Sequence, residues 1–405
     1  MAMTVSEKIL ARGCGREKVH PGEIVEAEVD RMMIHDNNAA LVIGHFNKIR
    51  DAVVQRPERV VFFIDHHSPS TSIKATKHHS LMRRFAKEHG INRFYDCGQG
   101  ISHVVMLEEE LARPGQIVVG TDSHTTGEGA EGAFAAGIGA TEMAAVLVTG
   151  KLWFRVPETV AVILDGKLPP HVEVRDLMMQ VLGRLGPDGA NYCAVEFQGQ
   201  GAEAMSREER LMCCVLSMEM GAKNALFVRR DQIDEGAAYI RTERFDLSAV
   251  TPVVSVPDLP TNVRPLSETA PQKIRIDQAF IGSCAGGLLR DLEMASEVLK
   301  NKKIAPGVRL LVIPASRKIY GMALSLGYLE TLHEAGAIIG SPACGACGGH
   351  DAGILAEGEV CIANSPRNMA GRMGAGGSVY LAGTAVVAAS AAAGYITNAE
   401  RGEIK

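Results

Sequence analysis

Five short apolar runs, each stopping at a polar cluster, constrain the fold of this chain more than any other feature. Val60 to Ile64 stops at Asp65, Gln116 to Gly120 at Thr121-Asp122-Ser123-His124, and Val160 to Leu164 at Asp165-Gly166. Val308 to Pro314 stops at Ala315-Ser316 and Ala337 to Gly340 at Ser341-Pro342. A continuous apolar run of this length reads as a buried strand. Helical patterns lie between the runs, at Lys77 to His89, Asp291 to Asn301 and Lys318 to Gly327. Strands alternating with helices predict α/β layers. Ligands of open α/β sheets sit beyond the carboxyl ends of strands, where these polar clusters fall.

At roughly 100 to 200 residues per domain, a chain of 405 residues predicts two or three domains. We place them at 1–156, 157–272 and 273–405. The proline-rich stretch from Pro252 to Gln272 reads as an inter-domain connection, and Pro157, Pro169 and Pro170 mark another. The composition, 46% hydrophobic and 22% charged, excludes a disordered or collagen-like chain. With 42 Lys+Arg against 47 Asp+Glu, the chain lacks the basic excess of a protein that lives on nucleic acid or anionic membrane. A small-molecule substrate fits better. Met1 to Leu10 holds no apolar run of the kind a signal peptide needs. Nine cysteines, an odd number, therefore read as core thiols plus metal ligands in a cytoplasmic protein. Ser378 to Ile396 is apolar over about the length of a spanning helix, but Ala and Gly dominate it, and it reads as an internal helix.

Three constellations carry chemistry. Cys344-Gly345-Ala346-Cys347 alone is open to a redox dithiol, a zinc site, an iron–sulfur site or two incidental core cysteines. Gly282-Ser283-Cys284-Ala285-Gly286-Gly287 adds a third cysteine among small residues after another apolar segment. Three thiolates would leave one iron of a cubane open for Lewis-acid work. Asp65-His66 and Asp122-Ser123-His124 place carboxylate and imidazole at strand ends, and His103 follows the Gly98-Gln99-Gly100 loop. An imidazole held by a carboxylate has a fixed tautomer and a raised pKa, which suits a general acid. His78, His79 and His89, on a charged helix, are expected to face solvent, and His67 is expected to be structural. Arg367 and Arg372, with Gly371 between them, could hold carboxylates through paired hydrogen bonds.

Together these residues are recognisable: from about His35 to Glu403 the chain resembles the large subunit of the aconitase and isopropylmalate isomerase family of iron–sulfur hydro-lyases. The likeness rests on Asp65-His66, Gly100-Ile101-Ser102-His103, Asp122-Ser123-His124 with Gly129 to Gly139, Gly282-Ser283-Cys284, Cys344 with Cys347, and Arg367 to Arg372. It implies three-layer αβα domains around a cleft holding a 4Fe-4S cluster on Cys284, Cys344 and Cys347. It further implies that Asp65 and His66 protonate a departing hydroxyl, that His103 pairs with Asp122, and that Ser123 and His124 contact substrate or bound water. Glu219 matches the family's carboxylate near the open iron, and Arg367 and Arg372 its carboxylate-binding arginines. Five usual polar residues are replaced, by Ala285, Gly286, Leu288, Val215 and Pro366. The less polar pocket suits an alkyl-substituted malate such as 3-isopropylmalate or 2,3-dimethylmalate, with homoaconitase-type or aconitase-type isomerisation as the alternative. Some relatives bind RNA when cluster-free, but the charge balance speaks against that here. The resemblance also implies a separate small subunit that carries a swivelling domain with the catalytic base.

Overall fold

The computed structural model of the protein describes residues 2–349 and 351–399. The expected first and third domains therefore run beyond the described residues, at residue 1 and at 400–405, and Glu403 lies outside them.

The first sheet has five parallel strands in the order Arg93–Tyr95, Val60–Phe63, Arg31–His35, Ile117–Gly120 and Phe134–Gly137. Alternation along these strands explains why they read as continuous apolar runs. Met32, Ile34, Val60, Phe62, Ile117 and Val119 enter one core with helices Val5–Gly13, Asp36–Phe46, Ile73–Glu88 and Ala140–Thr149. Met33, Val61, Phe63 and Val118 enter a second core on the opposite face, beneath helix Ser102–Glu108. Both faces are buried, as a parallel sheet between helical layers requires.

A four-stranded parallel sheet follows, ordered Asn224–Phe227, Ala194–Gln198, Thr159–Asp165, Arg241–Asp246. The third sheet has seven strands, ordered Val263–Pro265, Val253–Ser255, Ser378–Ala382, Val360–Ala363, Gln278–Ile281, Arg309–Val312 and Ile338–Ile339. Its faces also divide, with Ala279, Ile281, Leu310 and Val312 in one core and Phe280, Leu311, Cys361 and Val379 in another. Among the described residues no helix is long and apolar enough to cross a membrane.

Two expectations change. The Pro252 to Gln272 stretch is more than a connection: Val253–Ser255 and Val263–Pro265 join the seven-stranded sheet. Pro265 is tolerated there because its strand lies at the sheet edge, where a missing N–H breaks no ladder. Ser378 to Ile396 is a strand followed by a helix, Ser378–Ala382 and Thr384–Ala393. Val379 and Leu381 alternate into the core while the strand pairs with Val360–Ala363, and Gly383, with extended backbone, begins the helix.

Candidate active site

Three neighbouring parallel strands of the first sheet, Arg31–His35, Val60–Phe63 and Ile117–Gly120, end on one edge. His35-Asp36, Asp65-His66 and Asp122-Ser123-His124 lie at or just past those ends. Buried Asp65 places Oδ1 2.8 Å from His66 Nδ1 and accepts at Oδ2 from the Ser102 N–H at 2.8 Å. His66 Nε2 lies 3.4 Å from Asp122 Oδ2. Asp122 Oδ1 is 3.3 Å from His103 Nε2, and His103 Nδ1 is 2.9 Å from Glu128. Acid and base thus alternate through one buried network.

Electrostatics follow from that network. Burial disfavours a charged His66, but the neighbouring Cys344 sulfur, the Asp65 charge and the bonds to Asp122 and Asp65 hold its pKa well above the ordinary range. Burial likewise opposes charge on His103, yet its bonds to Asp122 and Glu128 raise it to about 10. Asp122 goes the other way: despite burial, His103 and His66 hold it well below the usual carboxylate range. His124 is lowered by burial and by the nearby Arg367 charge.

A second edge faces the first. Cys284 follows strand Gln278–Ile281 and Arg367 follows the neighbouring parallel strand Val360–Ala363, while Cys344 and Cys347 lie past Ile338–Ile339. Glu219 sits in the turn Met218–Met220, which ends at Gly221 with φ of 84°. Glu219 Oε1 accepts from Arg367 Nε at 2.7 Å and lies 3.0 Å from His124 Nε2. Cys284 Sγ lies 3.9 Å from His124 Nδ1, and the Cys344 N–H donates to the Asp65 carbonyl at 2.9 Å. Cys347 is an electrostatic neighbour of both Cys284 and Arg367.

Ser123 lines a cavity of 390 Å³ with Asp122, Thr126, Tyr192 and Lys223. Arg372 is half-buried and its Nε has no hydrogen-bond partner. The structure also brings in residues that the motifs did not single out. Asp36 accepts from the His66 and His67 N–H groups, each at 3.0 Å, and sits 3.0 Å from His79 Nε2. His79, expected to face solvent, is therefore buried, because the helix turns it toward Asp36. His35 stacks on His66 with ring centroids 4.3 Å apart, and its Nε2 lies 3.6 Å from Asp122 Oδ2. The signal was present: Arg31 to Asp36 ends in a His-Asp pair, the reverse of Asp65-His66, but Arg31 makes the run less apolar.

Residues 7–233 and 227–394 match the Aconitase family (aconitate hydratase). The chain belongs to the aconitase family. It is similar to the 3-isopropylmalate dehydratase large subunit 1 of Methanopyrus kandleri, at 44% identity over 98% of this chain and 99% of that one. The homoaconitase large subunit of Thermus thermophilus is also 44% identical, covering 99% of this chain and 98% of its own. In fold the chain is similar to the holo-form of Thermococcus kodakaraensis aconitase X, with a TM-score of 0.53 and 14% identity over 100% of this chain and 98% of that one. Aconitate hydratases are hydro-lyases, and a hydro-lyase function fits membership of this family.

Membership of the aconitase family also implies a 4Fe-4S cluster, and the donor set fits one. Cys284, Cys344 and Cys347 are free thiols gathered at one place. Burial and the neighbouring Cys344 and Cys347 raise the Cys284 thiol well above its ordinary range, and Cys344 is pushed up to about 12, chiefly by burial. Crowded thiols of this kind lose their protons only to a strong positive charge, which bound iron provides. Small residues bring backbone close: a Cβ on Gly286 would fall 2.2 Å from Asn364 Oδ1. At four of the five positions where the resemblance leads one to expect a polar residue, the surroundings are apolar or crowded. Ala285, Leu288 and Val215 are buried in the apolar core, and Gly286 has no room for a side chain.

Proposed function

We propose that this chain is the large subunit of a 4Fe-4S hydro-lyase that reversibly dehydrates a 2-hydroxy dicarboxylate, a substituted malate such as 3-isopropylmalate or 2,3-dimethylmalate. Cys284, Cys344 and Cys347 would hold the cluster. When bound, the cluster supplies Lewis acidity for the substrate hydroxyl. His66 acts as the general acid: Asp65 fixes Nδ1, and Nε2, which faces Asp122, turns its proton to the departing hydroxyl. Asp122 shares its oxygens between His66 and His103 and keeps both imidazoles protonated.

Arg367 receives a substrate carboxylate, and Glu219 balances its charge. Arg372, Ser123 and His124 are assigned to the same substrate. The C–H proton is taken by a base on a small subunit. The naming of the similar proteins as large subunits supports such a partner. The observation that carries the reading is the Asp65–His66–Asp122 chain, set beside three free cysteines.

The test is anaerobic reconstitution with iron, sulfide and the small subunit, followed by assay of 3-isopropylmalate, 2,3-dimethylmalate, citrate and homocitrate. Alkene formation from a substituted malate, abolished by His66→Asn, is expected. No alkene from any of the four would contradict the proposal. Turnover of homocitrate alone would move the assignment to the activity named for the Thermus relative.

A further inference from the structure

Arg175 is the second residue of helix Val174–Leu185, and its side chain is wholly buried. Both circumstances are unfavourable. A buried guanidinium loses its hydration, and a cation at a helix N-terminus opposes the helix dipole. Glu173, Asp176 and Asp291 lie near enough to offset the charge. The donors, however, go to main-chain carbonyls: Nη1 donates to Ser365 O at 3.1 Å, and Nη2 donates to Ala285 O.

Those two carbonyls belong to different loops. Ala285 directly follows Cys284, and Ser365 comes two residues before Arg367. The loops leave neighbouring parallel strands, Gln278–Ile281 and Val360–Ala363. Asn364 ties them as well. Its Oδ1 accepts from the Gly282 N–H at 3.0 Å, and its Nδ2 donates to Gly286 O at 2.7 Å and to Thr384 Oγ1 at 2.9 Å. Thr384 in turn donates to Asp291 at 2.6 Å. Asn364 lies within one of the two loops, whereas Arg175 reaches both from the helix between strands Thr159–Asp165 and Ala194–Gln198.

We propose that Arg175 is a positioning residue that fixes Cys284 relative to Arg367, so that one planar guanidinium sets the cluster loop and the carboxylate-binding loop in register. The inference rests on the proposed roles of those two residues. A rigid fork can satisfy two carbonyls at a set separation, whereas a lysine ammonium is a single point on a flexible stem. Arg175→Lys therefore keeps the buried charge beside Glu173, Asp176 and Asp291 but releases the register.

The first measurement uses the iron-free full-length chain and follows iodoacetamide alkylation of individual cysteines by mass spectrometry. In Arg175→Lys, Cys284 should alkylate about tenfold faster than in the wild type, while buried Cys213 and Cys361 keep their wild-type rates. In the reconstituted complex the same variant should raise KM for the dicarboxylate about tenfold, with a smaller change in kcat, and should shift the electron paramagnetic resonance of the dithionite-reduced cluster. Arg175→Met should show the same pattern with lower thermal stability, and if it does not fold, Arg175→Lys supplies the reading. Unchanged Cys284 alkylation together with unchanged KM overturns the inference. So does equal acceleration at Cys213 and Cys361, or failure of Arg175→Lys to fold, because either makes Arg175 a general stability residue. A wild-type complex that turns over no substrate would sink the proposed function and leave the alkylation result standing.

Discussion

Asp65 is the residue on which the proposed proton delivery depends, because it is buried, accepts a main-chain N–H at one oxygen and holds His66 Nδ1 at the other. Asp65→Asn should lower kcat by about 10²-fold or more while KM stays within a few-fold, measured by steady-state kinetics of the complex. His103 offers a pH signature. Its folded pKa is raised to about 10, above the ordinary 6.5, through the bonds to Asp122 and Glu128 that overcome burial. A raised value means that its contribution to stability is complete below the unfolded value and is lost as pH rises through the folded value. Melting temperature should therefore fall between about pH 6.5 and pH 10, with a weaker fall in His103→Gln, as differential scanning fluorimetry would show. Asp65, His66, His103 and Asp122 were legible because short motifs place each at the end of an apolar run or after a Gly-rich loop. Asp36, His79 and Glu128 were not, since their roles arise from contacts across 30, 43 and 25 residues that no local pattern encodes.

At the scale of elements, the apolar runs in the first sheet located its strands well because both of its faces are buried, which leaves no polar alternation to read. The same property misled at Ser378 to Ile396, where strand and helix are both mostly apolar and only Gly383 separates them. Packing between elements was not legible at all. The turn Ser123–Glu131, which follows the Asp122 strand, presses on strand Asn224–Phe227, and a Cβ on Gly129 would sit 1.8 Å from the Ala225 carbonyl oxygen. Asn224 Oδ1 accepts from the Ala135 N–H at 2.8 Å beside it. Gly129→Ala should thus destabilise the chain by about 3 kcal/mol or more in urea unfolding and disturb Asp122 with it. Gly44→Ala is the contrast: nothing lies within 4 Å of its Cβ, and its place in helix Asp36–Phe46 predicts a gain of about 0.5–1 kcal/mol.

In the whole molecule, the first sheet supplies the acid–base network, the seven-stranded sheet supplies the cysteines and Arg367, and Glu219 and Arg175 come from the segment of the four-stranded sheet. The site exists only where these parts meet, which is why its membership could be anticipated from motifs while its geometry could not. A small subunit should complete it. Size-exclusion chromatography should show a stable complex, and adding the subunit should raise turnover of the reconstituted chain by about 10²-fold or more, the scale of a missing general base. Full activity of the chain alone would contradict the proposed division of labour. The central claim is that Cys284, Cys344 and Cys347 hold a 4Fe-4S cluster beside the Asp65–His66–Asp122 network, and iron and sulfide analysis of the anaerobically reconstituted chain tests it most directly. The wild type should bind about four irons and four sulfides per chain, and Cys347→Ser should lose them together with the visible absorbance. Equal iron and absorbance in the wild type and Cys347→Ser, or one zinc in place of a cluster, would contradict it.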